Sequence, residues 1–313
     1  MMRIGIDLGG TNIAVGIVDE HGNILYKKST PTKADRTPDL IVDDIVNLCE
    51  CICKEQGVEL SSVKSIGIAV PGGVNEKTGE IIFTPNIPFS GLNISEILSK
   101  RFDGKRVGAI NDANAALLAE LSAGVGTGVQ DVVMITIGTG IGGAVAIGRN
   151  IISGTNGMAG ELGHMVIQRN GKKCSCGRYG CFEAYASATA LTDLTVREIE
   201  KCNRIGEFTV MANANKINAR VPFDAYKQGD VAAKRIIDEY IESLACGIIS
   251  LINIFQPDLF IIGGGVSGQK QFLVDMLMPY IENEQYSRSI EKRTKLTTAI
   301  CGNDAGIIGA AFA

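Results

Sequence analysis

Residues 132–147 read V-V-M-I-T-I-G-T-G-I-G-G-A-V-A-I, and how they are parsed decides the fold. Gly138, Gly140 and Gly143 fit G-x-G-x-x-G, the spacing of a dinucleotide-binding turn. That turn needs a helix directly after its glycines, because the pyrophosphate rests on the helix N-terminus. Here residues 144–147 continue as an apolar run, so the segment reads strand, Gly/Thr turn, strand. The same pattern occurs about one domain earlier. Residues 3–12, R-I-G-I-D-L-G-G-T-N, carry a strand that ends at Asp7 and turns at Gly9-Gly10, and residues 13–18 return as a second strand. A repeat of this kind implies two domains of similar construction, each opening with a glycine hairpin. Backbone N–H groups in such a turn, with the Thr11 hydroxyl, can cradle phosphate. Asp7 is placed to orient a magnesium ion through water. An ordinary glycine hairpin with a surface aspartate fits the same residues.

A second informative stretch is 161–183, E-L-G-H-M-V-I-Q-R-N-G-K-K-C-S-C-G-R-Y-G-C-F-E. His164, Cys174, Cys176 and Cys181 supply one imidazole and three thiolates, the donor set of a closed, structural Cys₃His zinc site. Soft sulfur ligands disfavour magnesium and calcium. Free thiols are the alternative, and a disulfide is disfavoured in a reducing compartment. A clamp here also fixes Glu161 and Glu183 nearby, where their carboxylates can accept hydrogen bonds from a hydroxyl-rich ligand. Both glutamates also read as solvated charges.

The 313 residues suffice for two ordinary domains, and 45% hydrophobic content allows each a sizeable core. A net charge of −4 argues against a nucleic-acid surface, which needs a basic patch. Nine cysteines, with no leader ahead of the strand that begins at Arg3, point to a cytoplasmic protein. The longest apolar run, 245–255, is interrupted by Gly247, Ser250 and Asn253 and is too short for a bilayer.

Further elements follow from periodicity. Residues 38–57 read as an amphipathic helix on which Cys49 and Cys53 fill the core, while Cys51 points away. Residues 64–70 and 107–110 read as strands. The loop through Pro85-Asn86 and Pro88 is rigid enough to border a cleft. Asn111-Asp112 precede a helix that runs to residue 123, and there Asp112 reads either as a helix cap or as a general base. Residues 184–202 and 230–255 read as helices. Residues 259–262 read as a strand before Gly263-Gly264-Gly265, which permits close backbone approach to an adenosine or makes a simple turn. Residues 287–295 read as a solvated charge run, and 302–313 as a small-residue helix able to pack tightly.

Together these stretches resemble the ROK family of repressors, open reading frames and kinases, within the actin and hexokinase superfamily. The pattern G-H followed by C-x-C-G-x-x-G-C-x-E at 163–183 is the most specific. Residues 7–12 look like the first phosphate motif, 138–140 like the second, and 263–265 like the adenosine motif. The resemblance implies an α/β fold of two ribonuclease H-like domains flanking a deep cleft. The domains would be 1–117, with 302–313 packing back on it, and 118–301, carrying the zinc site. It implies that Asp112 is the catalytic base and that Asn86, Asn111, Asp112, Glu161, His164 and Glu183 contact a sugar. His164 would serve both the zinc and a hydroxyl. Asp7, Gly9, Gly10, Thr11, Asn12, Gly138, Thr139, Gly140, Gly264 and Gly265 would hold ATP and its Mg²⁺. Many family members have Trp after Pro-Asn, whereas this chain has Ile87-Pro88-Phe89.

The expected activity is ATP-dependent phosphorylation of a hexose, glucose before N-acetylmannosamine, allose or another sugar, by a homodimer. A sugar-responsive regulator is the rival expectation. It would need a DNA-binding segment, for which a first strand at Arg3 leaves no room.

Overall fold

The computed structural model describes residues 1–313. In chain order the strands are β1 (Arg3–Leu8), β2 (Asn12–Val18), β3 (Ile24–Pro31), β4 (Ile66–Val70), β5 (Gly73–Asn75), β6 (Glu80–Phe83), β7 (Val107–Asn111), β8 (Val132–Ile137), β9 (Ile141–Ile147), β10 (Asn150–Ile151), β11 (Leu259–Gly263) and β12 (Lys295–Thr298). The helices are α1 (Pro38–Glu55), α2 (Ile94–Arg101), α3 (Asp112–Ala123), α4 (Glu183–Ala186), α5 (Ala188–Ile205), α6 (Arg220–Lys227), α7 (Val231–Phe255), α8 (Gln271–Glu284) and α9 (Ala305–Phe312).

Two five-stranded sheets share one topology. The first runs β3-β2-β1-β4-β7 and the second β10-β9-β8-β11-β12. In each, the opening hairpin is antiparallel, and two further strands join parallel to its first strand. This is the ribonuclease H-like order, present twice. Residues 132–147 form a hairpin, since β9 follows the glycines with no helix between.

The chain divides into two compact units. The first comprises Met1–Asp131, Ala144–Gly160 and Ala299–Ala313, and the second Val132–Gly143 and Glu161–Thr298. The first unit reaches past residue 117 because α3 continues to Ala123 and packs along α9.

Within the first unit, α1 buries Ile41, Ile45, Cys49, Ile52 and Cys53, the 3.6-residue stripe read from sequence. On the other face, glycines form a furrow. Gly16, Gly5, Gly67 and Gly108 are register partners on four adjacent strands. α9 lies along that row. A Cβ on Gly5 would sit 1.8 Å from the Ile307 carbonyl oxygen, and one on Gly67 1.9 Å from that of Ala310. Helix and sheet backbones therefore touch, which only a side-chain-free row permits. α9 in turn lays Gly306 against the Asp7 carboxylate, so this packing positions a candidate site residue.

In the second unit α7 is the core helix, with Ile237, Tyr240, Leu244, Ile248 and Ile252 buried. Asp230 caps its start by accepting from the Ala233 N–H at 2.8 Å. No helix is long and apolar enough to cross a membrane.

Candidate active site

In the first unit, the end of β1, the β1–β2 turn and the start of α3 come together. The Gly9 N–H closes the turn onto the Asn12 carbonyl at 2.9 Å, so Gly9 shapes the turn. The buried Thr32 hydroxyl donates to the Gly9 carbonyl at 2.6 Å, and the Thr32 N–H to the Thr11 carbonyl at 2.8 Å. Both bonds draw carbonyl oxygens to the protein side of the turn. Thr11 and Asn12 are exposed. Gly10 abuts Asn86, with room for a Cβ only 3.3 Å from the Asn86 Cβ. Asn86 is exposed on a loop whose Ile87 and Phe89 are buried as anchors. Ile87 and Phe89 are thus part of the core, while Pro88 between them is exposed.

At α3 both Asn111 and Asp112 engage backbone N–H groups. Asn111 makes the helix cap: its Oδ1 accepts from the Ala113 and Asn114 N–H groups at 2.9 and 3.1 Å. Its Nδ2 donates to the Gly72 carbonyl at 2.8 Å and to Asp112 Oδ1 at 3.0 Å. Asp112 is the exposed first residue of the helix, and its Oδ1 also accepts from the Ala113 N–H at 2.8 Å. Two donors on one oxygen fix the plane of the carboxylate, which is what a general base requires. Burial, then the charges of Asp112 and Asp304, push the Asp7 carboxyl up to about 6. A cation held near Asp7 would relieve this repulsion.

Glu76 lies in a turn, where no sequence pattern marks it. It accepts from Asn114 Nδ2 at 2.9 Å, and burial raises its carboxyl above the ordinary range. Asn114 Oδ1 is buried without a partner. A single sequence gives no sign of this pair, since Glu76 and Asn114 lie 38 residues apart.

In the second unit, the 161–183 segment folds back on itself through isolated bridges Val166–Cys181 and Lys173–Tyr179. Gly180 makes this possible: its φ is +80°, and a Cβ there would sit 1.8 Å from the Gln168 carbonyl oxygen. The result gathers His164, Cys174, Cys176 and Cys181, whose ligand atoms all lie within 4.8 Å of one another. His164 Nδ1 is 3.6 Å from Cys174 Sγ, and the Cys176 and Cys181 sulfurs are 3.7 Å apart. A tetrahedron with Zn–S bonds of about 2.3 Å and a Zn–N bond of about 2.05 Å has N···S and S···S edges of about 3.6 and 3.8 Å. The donor set and its spacing therefore fit zinc. Burial and the neighbouring sulfurs push the Cys181 thiol up to about 12. Because Nδ1 faces the sulfurs, Nε2 of His164 points elsewhere. Glu161 is exposed at the start of the short turn that carries His164.

Glu183 joins this segment to the second glycine turn. Its Oε2 accepts from the Ile141 N–H at 2.9 Å, and its Oε1 from the Ser175 hydroxyl at 2.8 Å. A Cβ on Gly140 would lie 2.2 Å from Oε2, so the glycine is needed for the carboxylate to reach. The turn itself closes from the Gly138 N–H to the Gly140 carbonyl at 2.9 Å. The Thr189 hydroxyl holds the Thr139 carbonyl at 2.8 Å, as Thr32 holds Gly9 in the first unit. Sequence reasoning finds neither threonine, because each acts from a different element than the turn it pins.

Thr139, Thr189, Phe223, Lys227 and Gly265 line one cavity of about 680 Å³ within the second unit. Gly265 reaches it from the triple glycine. Gly264 has φ +78°, and a Cβ on it would meet the Ile137 backbone at 2.4 Å. Gly264 thus closes the turn against β8, while Gly265 faces the cavity.

A family model described as ROK family matches residues 3–313. The chain is 36% identical to a glucokinase of Thermotoga maritima, over 98% of this chain and 95% of that one. It is also similar to the crystal structure of a ROK family glucokinase from Streptomyces griseus in complex with glucose and AMPPNP. That match has TM-score 0.81, 31% identity, and covers 100% of this chain and 98% of that one. A ROK hexokinase from Thermus thermophilus matches with TM-score 0.78 and 31% identity, over 99% and 97% of the two chains.

Proposed function

The chain belongs to the ROK family, and from that premise we propose that it phosphorylates glucose at the 6-hydroxyl with ATP. The observation that carries this reading is the division of labour at α3, where Asn111 makes the cap and an oriented carboxylate is left at Asp112. Asp112 takes the proton of the 6-hydroxyl as that oxygen attacks the γ-phosphorus, with positioning and charge stabilisation supplying most of the rate. The attacking oxygen gains a bond to phosphorus, the bond to the β–γ bridging oxygen breaks, and ADP leaves.

Asn86, Asn111, Glu161, His164 and Glu183 hold the sugar's remaining hydroxyls. His164 offers Nε2, its Nδ1 being turned to the sulfurs. The turn glycines Gly9 and Gly138 spend their N–H groups inside the turns, so the N–H groups of Gly10, Thr11, Thr139 and Gly140 face phosphate. Asn12 borders the first turn. The adenosine occupies the 680 Å³ cavity beside Gly265, with Gly264 shaping its wall. Asp7 orients Mg²⁺, which when bound offsets phosphate charge. His164, Cys174, Cys176 and Cys181 hold a structural zinc that keeps the sugar-gripping segment in shape.

The test is a panel of hexoses with ATP, following ADP release and locating the phosphate by ³¹P–¹H correlation. Glucose is expected to give the highest kcat/KM, with phosphate on O6. A product phosphorylated at another oxygen, or ADP release that no sugar stimulates, would overturn the reading.

A further inference from the structure

The side chains lining the 680 Å³ cavity differ in a way that bears on which nucleotide it takes. Its deep wall is apolar: Phe223 is 0% and Val266 4% exposed. The polar side chains lining it are exposed or part-exposed, and most of them hydrogen-bond within the protein. Asn218 Oδ1 accepts from the Arg220 N–H at 2.9 Å, and Arg220 Nε donates to Asp224 at 3.1 Å, with the Arg220 and Asp224 side chains 80% and 47% exposed. Lys227 Nζ donates to Gln269 Oε1 at 2.7 Å and stacks over the Phe272 ring. The Thr192 hydroxyl donates to the Ala188 carbonyl at 2.8 Å, and that of Thr189 to Thr139. The turn after Gly264 is closed on itself as well, since the N–H and hydroxyl of Ser267 both donate to the Gly264 carbonyl.

Strong discrimination between bases requires buried donors and acceptors that a wrong base leaves unpaired. Such sites reject analogues by about 10⁴-fold, whereas apolar pockets discriminate by about 10–200-fold. A hydrogen bond made at a wet rim replaces one to water and gains little. Adenine and guanine have the same ring outline and differ in edge donors and acceptors, the feature this cavity does not read from within. Resting on the proposed nucleotide site, we infer that the cavity selects purine nucleoside triphosphates by shape and apolar contact and accepts guanosine as well as adenosine. GTP is thus a second phosphoryl donor for this chain.

The test measures the dissociation constants of AMPPNP and GMPPNP on the full chain by calorimetry in saturating glucose and Mg²⁺. It also measures kcat/KM for ATP and GTP by glucose 6-phosphate formation. Both ratios are expected within about 200-fold of unity, the range of an apolar, shape-selective pocket. A larger preference for the adenine nucleotide overturns the inference. Binding of both analogues without glucose 6-phosphate from either donor would count against the kinase reading and against GTP as a donor, while the binding ratio would still decide how the cavity selects its base. Asn218→Ala and Gln269→Ala remove the two side-chain amides that line the cavity. Each should leave the AMPPNP to GMPPNP ratio within about twofold of the parent, and a shift of about fivefold or more would mean that these side chains do read the base.

Discussion

Asp7 carries a buried carboxyl beside other carboxylates. Its carboxyl titrates near 6 in the folded chain against 3.8 ordinarily, with burial the largest cause. The folded state thus binds that proton more tightly than the unfolded one. The stability this contributes is complete below about pH 4 and is lost as pH rises through about 6. Without divalent cations, Asp7→Asn should therefore melt above the wild type at pH 7.5, with the difference shrinking towards pH 4, while phosphorylation falls sharply. Thermal melts across that range check the sign. The threonine pins make a second case. Thr32→Val or Thr189→Val removes one hydrogen bond to a turn carbonyl, which is expected to raise KM for ATP about three- to tenfold. KM for glucose should be unchanged, and the Ser variants should restore the parent value. Asp7, Asn111 and Asp112 are legible in the sequence because they stand at the ends of clear strands. Thr32, Thr189 and Glu76 are not, because their partners are distant in sequence and a lone Thr or Glu carries no periodicity.

The elements vary in how plainly the sequence declares them. α1 follows from the helical spacing of its apolar residues, α3 from the polar cluster that caps it, and α7 from its long apolar run. β3 does not, since it is an edge strand whose residues are mostly exposed and show no alternation. α8 carries Pro279 inside it, a residue that argues against helix from sequence alone. Ser187 divides the expected 184–202 helix into α4 and α5, its hydroxyl accepting from the Ala190 N–H at 3.0 Å. The small-residue stretch near the C-terminus becomes α9 only from Ala305, and its place depends on the glycine furrow. Gly67→Ala puts a methyl group where the Ala310 carbonyl lies and should cost about 1–3 kcal/mol in denaturant unfolding. For the 161–183 segment, one zinc per chain is expected by elemental analysis. Cys181→Ser should lose that zinc and weaken glucose binding more than AMPPNP binding.

Across the whole molecule, one sheet order occurs twice, and each copy opens with a glycine turn whose carbonyl is pinned by a threonine. That duplication is readable from two hairpins in the sequence; the cavity is not, because its lining comes from the β8–β9 turn, α5, α6 and the turn after β11. The proposed phosphorylation gives one carboxylate, Asp112, the chemical role. The most direct measurement is turnover of Asp112→Asn with glucose and ATP, paired with glucose affinity by calorimetry. The account predicts a fall in kcat of about 10²–10⁴-fold with glucose affinity within about threefold of the parent. Turnover close to that of the parent would contradict it.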